Sequence, residues 1–340
     1  MSHFFHKNAK WLAPLVLFGG FILDNLSIRQ ADLFPENLVM TAYFVMVAGS
    51  LLVWHKIDAK HTKTVALIEF QSILFLLIQF FFGGLFSFLT VFYIKSASFF
   101  ASWPFLTLLF GGLIATEYLK KHLYQFFVQL GTLYLLLFTY CIVIVPLFLR
   151  KINSGVFIIS ALVSLVLIVL YISLFYITVP SLLRKQAKHL SIIIGSIFII
   201  MNTFYFLNII PPIPLALRDS GIYQSVTKQD SDYIFSDFQH NFSFKTLAEE
   251  YTIPSGLPAY FYSAIYAPGQ FTEKITHQWQ KKDVQGNWIT MSSFSFPIYG
   301  GKATGYRGYS INDRMTVGDW RVLVKTQSGQ VLGGKSFLVK

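Results

Sequence analysis

The sequence predicts two architectures in one chain: a polytopic α-helical membrane bundle of about seven helices, followed by a small all-β, sandwich-like domain. Three observations predict this. The 340 residues are 54% hydrophobic and only 13% charged, whereas soluble domains carry about 25% charged residues. Before residue 210 the apolar residues fall in runs long enough to cross a bilayer, which takes roughly 20 helical residues. From residue 259 onward the pattern shifts to short alternating runs separated by turn residues, as in β-sandwiches. The expected division is therefore 1–210 membrane region, 211–223 proline-rich junction and 224–340 extracytoplasmic β domain, with its core at 259–340.

Seven helical runs are expected, at 11–28, 38–54, 66–94, 97–118, 123–149, 152–180 and 189–210. The first follows Lys7 and Lys10 and so resembles a secretion signal. No small-x-small cleavage site comes after it, and Asp24 and Asn25 interrupt its far end, so it reads as a retained helix. The third run contains Gly83-Gly84, which could divide it into a hairpin. Each half would be too short to span, so it counts as one tilted or kinked helix.

Charge sets the expected orientation. The N-terminal tail and the loops at 55–64, 119–122 and 181–188 carry ten Lys and Arg, against four in the loops at 29–37, 95–96 and 150–151. Basic residues concentrate on the cytoplasmic side of membrane proteins. This places the N-terminus in the cytoplasm and, after seven crossings, the β domain outside a bacterial inner (plasma) membrane. The net charge of +11 is explained by those loops. No basic stripe or reading motif accompanies it, so a nucleic-acid partner is not expected.

Ionisable residues inside a span are costly and point to function unless they reach an interface. Asp24, toward the outer end of the first helix, and Glu69, near the inner end of the third, are the two candidates; both also fit wet interfacial positions. Gln71, Gln79, Gln125, Gln129, Asn202 and Asn208 fit hydrogen bonds between helices. No periodic charge row or repeated half-helix pattern marks a relay or a transporter. The single cysteine, Cys141, sits in an apolar run, reads as a packed residue, and allows no disulfide within one chain. Six histidines (His3, His6, His55, His61, His122 and His189) fall on the expected cytoplasmic side. Converging imidazoles could bind a metal or sense pH, but no ligand spacing accompanies them, and neither metal nor cofactor is expected.

At the junction, Pro211, Pro212 and Pro214 stop the helix and stiffen the exit. Strands are expected near 259–267, 273–282, 287–298, 304–311, 318–326 and 330–339, with one or two more within 222–247. Asp283–Gly286 and 327–329 read as hairpin turns. Alternation puts Ile275, His277 and Trp279 on one face of their strand, and Trp320, Val322 and Val324 on one face of theirs. The tryptophans then read as sandwich core and His277 as a half-buried, hydrogen-bonded residue. The alternative is a cleft where His277, Trp288, Arg307 and Tyr309 converge, with Trp279 and Trp320 beside them. Such a set could stack on a sugar ring or hold an anion, since Arg presents a two-pronged fork. Gly300, Gly301 and Gly305 would allow close approach there or serve as turns. No catalytic triad, paired carboxylates or phosphate-binding loop stands out.

The runs YFYSAIYAP at 260–268, His277-x-Trp279, GGKATGYRGYS at 300–310, GDWRVLVKT at 318–326 and GQVLGG at 329–334 together resemble one bacterial family. It is the domain-of-unknown-function family 2914 (DUF2914), in its membrane-attached form. The likeness extends through PPIPLALRDSGIY at 211–223 and to GGFILDNLSIRQAD at 19–32, where Gln30 replaces an expected Arg. The resemblance implies a small β domain fused to a polytopic membrane region, and implies no activity.

Three functional readings follow. The first is a membrane-anchored binding or scaffolding module whose partner is an envelope glycan, lipid head group or protein, with the bilayer around its helices. The second is a carrier, with Asp24 and Glu69 as its residues. The third is an envelope-modifying enzyme using His277, Arg307 and Asp319, the weakest of the three because no catalytic motif supports it.

Overall fold

The structure is a computed structural model and describes residues 34–59, 64–96, 99–118, 125–211, 215–229, 232–237, 240–243, 248–267, 271–301, 305–313 and 315–340. The chain forms two compact units whose main boundary falls between Ile210 and Pro211.

Six helices are described in the first unit: α1 (Phe34–Asp58), α2 (Val65–Ser96), α3 (Phe99–Tyr118), α4 (Phe126–Leu149), α5 (Ser154–Thr178) and α6 (Pro180–Phe206). The count is thus six against the expected seven; the first expected helix, 11–28, lies outside the described residues. Five of the six are long and apolar enough to cross a membrane, while in α3 the apolar stretch is the shorter Ser102–Ala115.

Helix α2 runs unbroken through Gly83-Gly84. Its 32 residues cover about 48 Å at 1.5 Å each, more than the ~30 Å hydrocarbon core. As a span it must tilt or project beyond the lipid. The Tyr43 ring of α1 occupies the space a side chain on Gly84 would need. The glycine therefore serves close helix approach and not a hairpin turn. At the start of α2 the Thr64 hydroxyl accepts the Leu67 N–H at 3.4 Å, an N-cap bond.

Helix α6 begins at Pro180, nine residues before the expected start at 189. Proline suits the first helical turn, where its missing N–H is not needed, so only Val179 separates α5 from α6. Arg184, Lys185 and Lys188, expected in a loop, lie in the opening turns of α6. The helix stops where Asn208 adopts φ 57 and the Ile209 N–H donates to the Phe204 carbonyl at 2.8 Å. Asparagine tolerates this left-handed ending.

Ten strands are described in the second unit: β1 (Ala216–Gln229), β2 (Asp232–Asp237), β3 (His240–Ser243), β4 (Ala248–Ile253), β5 (Ala259–Tyr266), β6 (Thr272–Lys282), β7 (Trp288–Tyr299), β8 (Tyr306–Asn312), β9 (Gly318–Thr326) and β10 (Val331–Val339). They form a four-stranded sheet in the order β2-β1-β5-β8 and a six-stranded sheet in the order β3-β4-β10-β9-β6-β7. The β4–β10 pair is parallel. All six strands expected from residue 259 onward are present.

Upstream, the expectation is corrected. Strand β1 starts at Ala216 and pairs with β5 through Tyr223, so the junction is shorter than 211–223. The span 222–247, expected to hold one or two strands, holds most of β1 together with β2 and β3. Register shifts between Leu217 and Asp219 and between Tyr223 and Ser225 insert extra residues into β1. They break the two-residue period that would have revealed it. Residues 212–214 of the proline run lie outside the described residues.

The β-unit core gathers Phe261, Ile265, Ile275, Trp279, Trp320, Val322, Val324 and Phe337, all buried. At the β6–β7 turn, the Asp283 carboxylate accepts the N–H groups of Gln285 at 2.9 Å and Asn287 at 2.7 Å, and Gly286 takes φ 90. The side chain and the glycine thus build the hairpin together.

Candidate functional site

Strand alternation divides the expected site residues among three environments and does not bring them into one cleft. His277, Trp279 and Trp320 face the core, Arg307 and Tyr309 face outward from the four-stranded sheet, and Trp288 lies on the outward side of the six-stranded sheet.

The inward set is a buried polar bridge between the sheets. His277 is 0% exposed, and the rings of Phe261 and Phe296 meet its imidazole edge-on at 4.8 and 4.9 Å. Its Nε2 lies 2.8 Å from the Ser263 hydroxyl on β5, and its Nδ1 lies 3.0 Å from the Ser310 hydroxyl on β8. Ser310 also accepts the indole N–H of Trp279 at 3.0 Å. A neutral imidazole offers one donor and one acceptor, so one hydroxyl donates to the ring and the other accepts from it. Burial pushes the His277 pKa down to about 3, because a cation here would lose its hydration. This neutral ring pins two strands of one sheet to one strand of the other. Trp320 completes the inner layer and donates its indole N–H to the Thr316 carbonyl at 2.7 Å. The expectation that His277 is half-buried is corrected to fully buried.

The outward face of the four-stranded sheet carries an aromatic surface. Tyr223 of β1 stacks on Phe235 of β2 at 4.4 Å, and Phe235 and Tyr233 approach Tyr262 of β5 at 4.8 and 5.5 Å. Tyr309 of β8 lies 6.2 Å from both Tyr233 and Tyr260. The surface therefore crosses all four strands. Phe235, Tyr309 and Ile311 are exposed, whereas Tyr262 is buried beneath its neighbours.

Polar groups edge this surface. Arg307 donates to the Asp232 carboxylate at 3.0 Å, and the Tyr233 hydroxyl donates to the Arg307 carbonyl at 3.3 Å. Burial raises the Tyr262 pKa, and the nearby Arg307 charge opposes that rise. Gly221 lies opposite Tyr262, and the Tyr223 ring lies over it where a side chain would project. Gly305 takes φ 85, and a side chain there would crowd the backbone of Ile265.

Of the residues on this surface, Arg307 and Tyr309 are among those expected from the sequence, whereas Tyr223, Tyr233, Phe235, Tyr260 and Tyr262 are not. The spacing Tyr260-x-Tyr262, repeated as Tyr233-x-Phe235 and Arg307-x-Tyr309, is the signal that finds them. Ser263 and Ser310 have no such signature, since a core serine is recognised only by its partner.

On the other sheet, Trp288 carries the Arg321 guanidinium over its ring at 4.3 Å and the Lys282 ammonium at 6.0 Å. Asp319 is exposed on β9, on the opposite strand face from Trp320, so it does not join His277.

In the helical unit, Asp24 lies outside the described residues and Glu69 is exposed near the start of α2. His55 is buried, with Nε2 2.6 Å from the Gln129 Oε1, and His189 stacks on Phe127 at 5.4 Å. His3, His6, His61 and His122 lie outside the described residues. Cys141 is buried. A cavity of about 130 Å³ is lined by His55, Asp58, Ala59, Val179, Ser181, Leu182 and Lys185, at the end of α1 and the start of α6.

A family model described as "Protein of unknown function (DUF2914)" matches residues 272–339. The match runs from the first residue of β6 to the last of β10. It supports the family resemblance read from the motifs for this C-terminal part of the chain. No curated protein matches the chain. Among solved structures, Pseudomonas fluorescens alkylpurine DNA glycosylase AlkC bound to DNA containing an abasic site analog aligns over 83% of this chain and 84% of that one. The identity is 9% and the TM-score 0.25, too low to carry any argument.

Proposed function

We propose that the chain is a multi-pass membrane protein whose β domain binds a glycan of the cell envelope through the aromatic face of its four-stranded sheet. The observation that carries this reading is the row of Tyr and Phe side chains across β2, β1, β5 and β8, edged by Arg307 and Asp232. Aromatic faces offer apolar area to the C–H faces of sugar rings, while tyrosine hydroxyls supply hydrogen bonds at small entropic cost. Five helices of spanning length support membrane residence. With Lys and Arg gathered in the N-terminal tail, in 55–64, in 119–122 and in the opening turns of α6, the seven-crossing reading supports a cytoplasmic N-terminus and a β domain outside a bacterial inner membrane. The test is binding of the full chain, in neutral-lipid nanodiscs, to purified cell-wall glycan. Tyr309→Ala combined with Tyr233→Ala should weaken it by at least about tenfold, since each lost aromatic contact is worth on the order of 1 kcal/mol.

A second reading, a small-solute carrier, is favoured by one observation: the cavity where His55, Asp58, Ser181 and Lys185 meet. Solute uptake into proteoliposomes that survives Asp58→Asn and Lys185→Gln would remove that support.

A further inference from the structure

The outward face of the six-stranded sheet is chemically unlike the tyrosine face. Register places Lys274, Thr276, Gln278, Gln280 and Lys282 of β6 on it, beside Asp319, Arg321, Leu323 and Lys325 of β9 and Trp288, Thr290, Ser293 and Ser295 of β7. Four cations thus share the face with one carboxylate among the described residues of these three strands.

Arg321 is held in place by groups that leave its charge unanswered. Its guanidinium stacks on Trp288 at 4.3 Å, and its Nε–H donates to the Gln280 Oε1 at 2.7 Å. The Gln280 amide is fixed in turn, its Nε2 donating to the Thr290 hydroxyl and to the Gln278 Oε1, both at 3.3 Å. Gln278 Nε2 also donates to Thr290, at 2.9 Å. Among the described residues, the Nη groups of Arg321 meet no carboxylate, so the two-pronged edge of a pre-positioned fork remains unspent. That edge matches a carboxylate or phosphate.

Lys325 lies on the same strand face. Its pKa is lowered first by burial and then by the Arg321 charge. Two cations therefore repel each other on this face, with no ion pair to relieve them among the described residues.

The row is long. Lys274 and Lys282 are eight residues apart on one strand, about 26 Å at roughly 3.3 Å per residue. A single small anion would meet one or two of these charges, whereas a chain with repeated negative groups meets them all.

We infer that the outward face of the six-stranded sheet binds a linear anionic polysaccharide, with Arg321 as the forked contact and Lys274, Lys282 and Lys325 as charges along its path. The face displays amide and hydroxyl groups suited to sugar hydroxyls. The ring of Trp288 is engaged by Arg321, so it does not offer the free stacking platform on which single-stranded nucleic acids depend. The site is separate from the tyrosine face, so the two proposals fail independently.

The test uses the full chain in neutral-lipid nanodiscs with three probes: polygalacturonate, neutral dextran of similar length, and a thymidine 20-mer. Polygalacturonate should bind and weaken as salt rises, because exposed charges are screened over about 10 Å at 0.1 M; dextran should bind far more weakly. Arg321→Gln and Lys325→Gln should each weaken polygalacturonate binding, Arg321→Gln by about tenfold or more. Lys228→Gln, which removes a cation from β1, and Tyr309→Ala should change it less than about twofold. Four results overturn the inference: no polygalacturonate binding at low salt, equal binding of dextran, an equal loss with Lys228→Gln, or binding of the 20-mer as tightly as polygalacturonate. Lys325→Gln alters an outward side chain, so its result stands even where Arg321→Gln disturbs folding.

Discussion

Acidification should weaken the β domain through His277, by an amount fixed by its burial. The folded pKa lies at about 3, against about 6.5 for an unfolded histidine. Above pH 6.5 neither state is protonated, and the contribution of the neutral bridge is fully present. Between pH 6.5 and 3 the unfolded chain binds a proton that the folded chain refuses, so stability falls with falling pH. The slope is about 1.4 kcal/mol per pH unit, which gives a loss of about 2 kcal/mol at pH 5. Glu273 acts in the opposite direction, because burial raises its pKa. The clean quantity is therefore the difference between the wild-type chain and His277→Gln, in which the Glu273 effect cancels.

The assay is pulse proteolysis of the β domain across a urea series, on the full chain in detergent, at pH 7 and pH 5. The stability advantage of wild type over His277→Gln should shrink by about 2 kcal/mol between the two. An advantage that is the same at both pH values would refute the claim that a neutral, desolvated imidazole bridges the sheets.

Further outcomes follow from the same packing. Ser310→Ala strips a partner from both His277 and Trp279 and should cost about 1–3 kcal/mol in the same assay, whereas Ser293→Ala on the exposed face should change it little. Gly84→Leu drives a side chain into the space held by Tyr43; it should lower the thermal midpoint of the helical unit, and Tyr43→Ala in the same chain should restore part of it. Gly221→Val displaces the Tyr223 ring and should reduce glycan binding without weakening an Arg321-dependent interaction.

The parts of the fold legible in the sequence were those where one rule dominated. Long apolar runs announced α1 to α5 in the right places, and alternation announced β5 to β10, including the inward side of Trp279 and Trp320. The rest escaped for identifiable reasons. Strand β1 carries Arg218, Asp219 and Lys228 and two register shifts, so its polar composition and broken period read as a junction. The basic start of α6 resembles a loop in the sequence because Arg184, Lys185 and Lys188 interrupt the apolar run, although Pro180 equally begins a helix. For the site, the two-residue spacing of Arg307 and Tyr309 on β8 puts them on one face of the strand. Their separation from His277 and Trp288 is not encoded in strand period, because which strands share a sheet is a long-range property.

We propose above all that the aromatic face of the four-stranded sheet is a recognition surface. Its most direct test is co-sedimentation of the full chain, in nanodiscs, with purified cell-wall sacculi. The account predicts that the wild-type chain sediments with them and that Tyr233→Ala with Tyr309→Ala releases it while the β domain stays resistant to proteolysis. Equal sedimentation of the folded double variant and the wild type would contradict it.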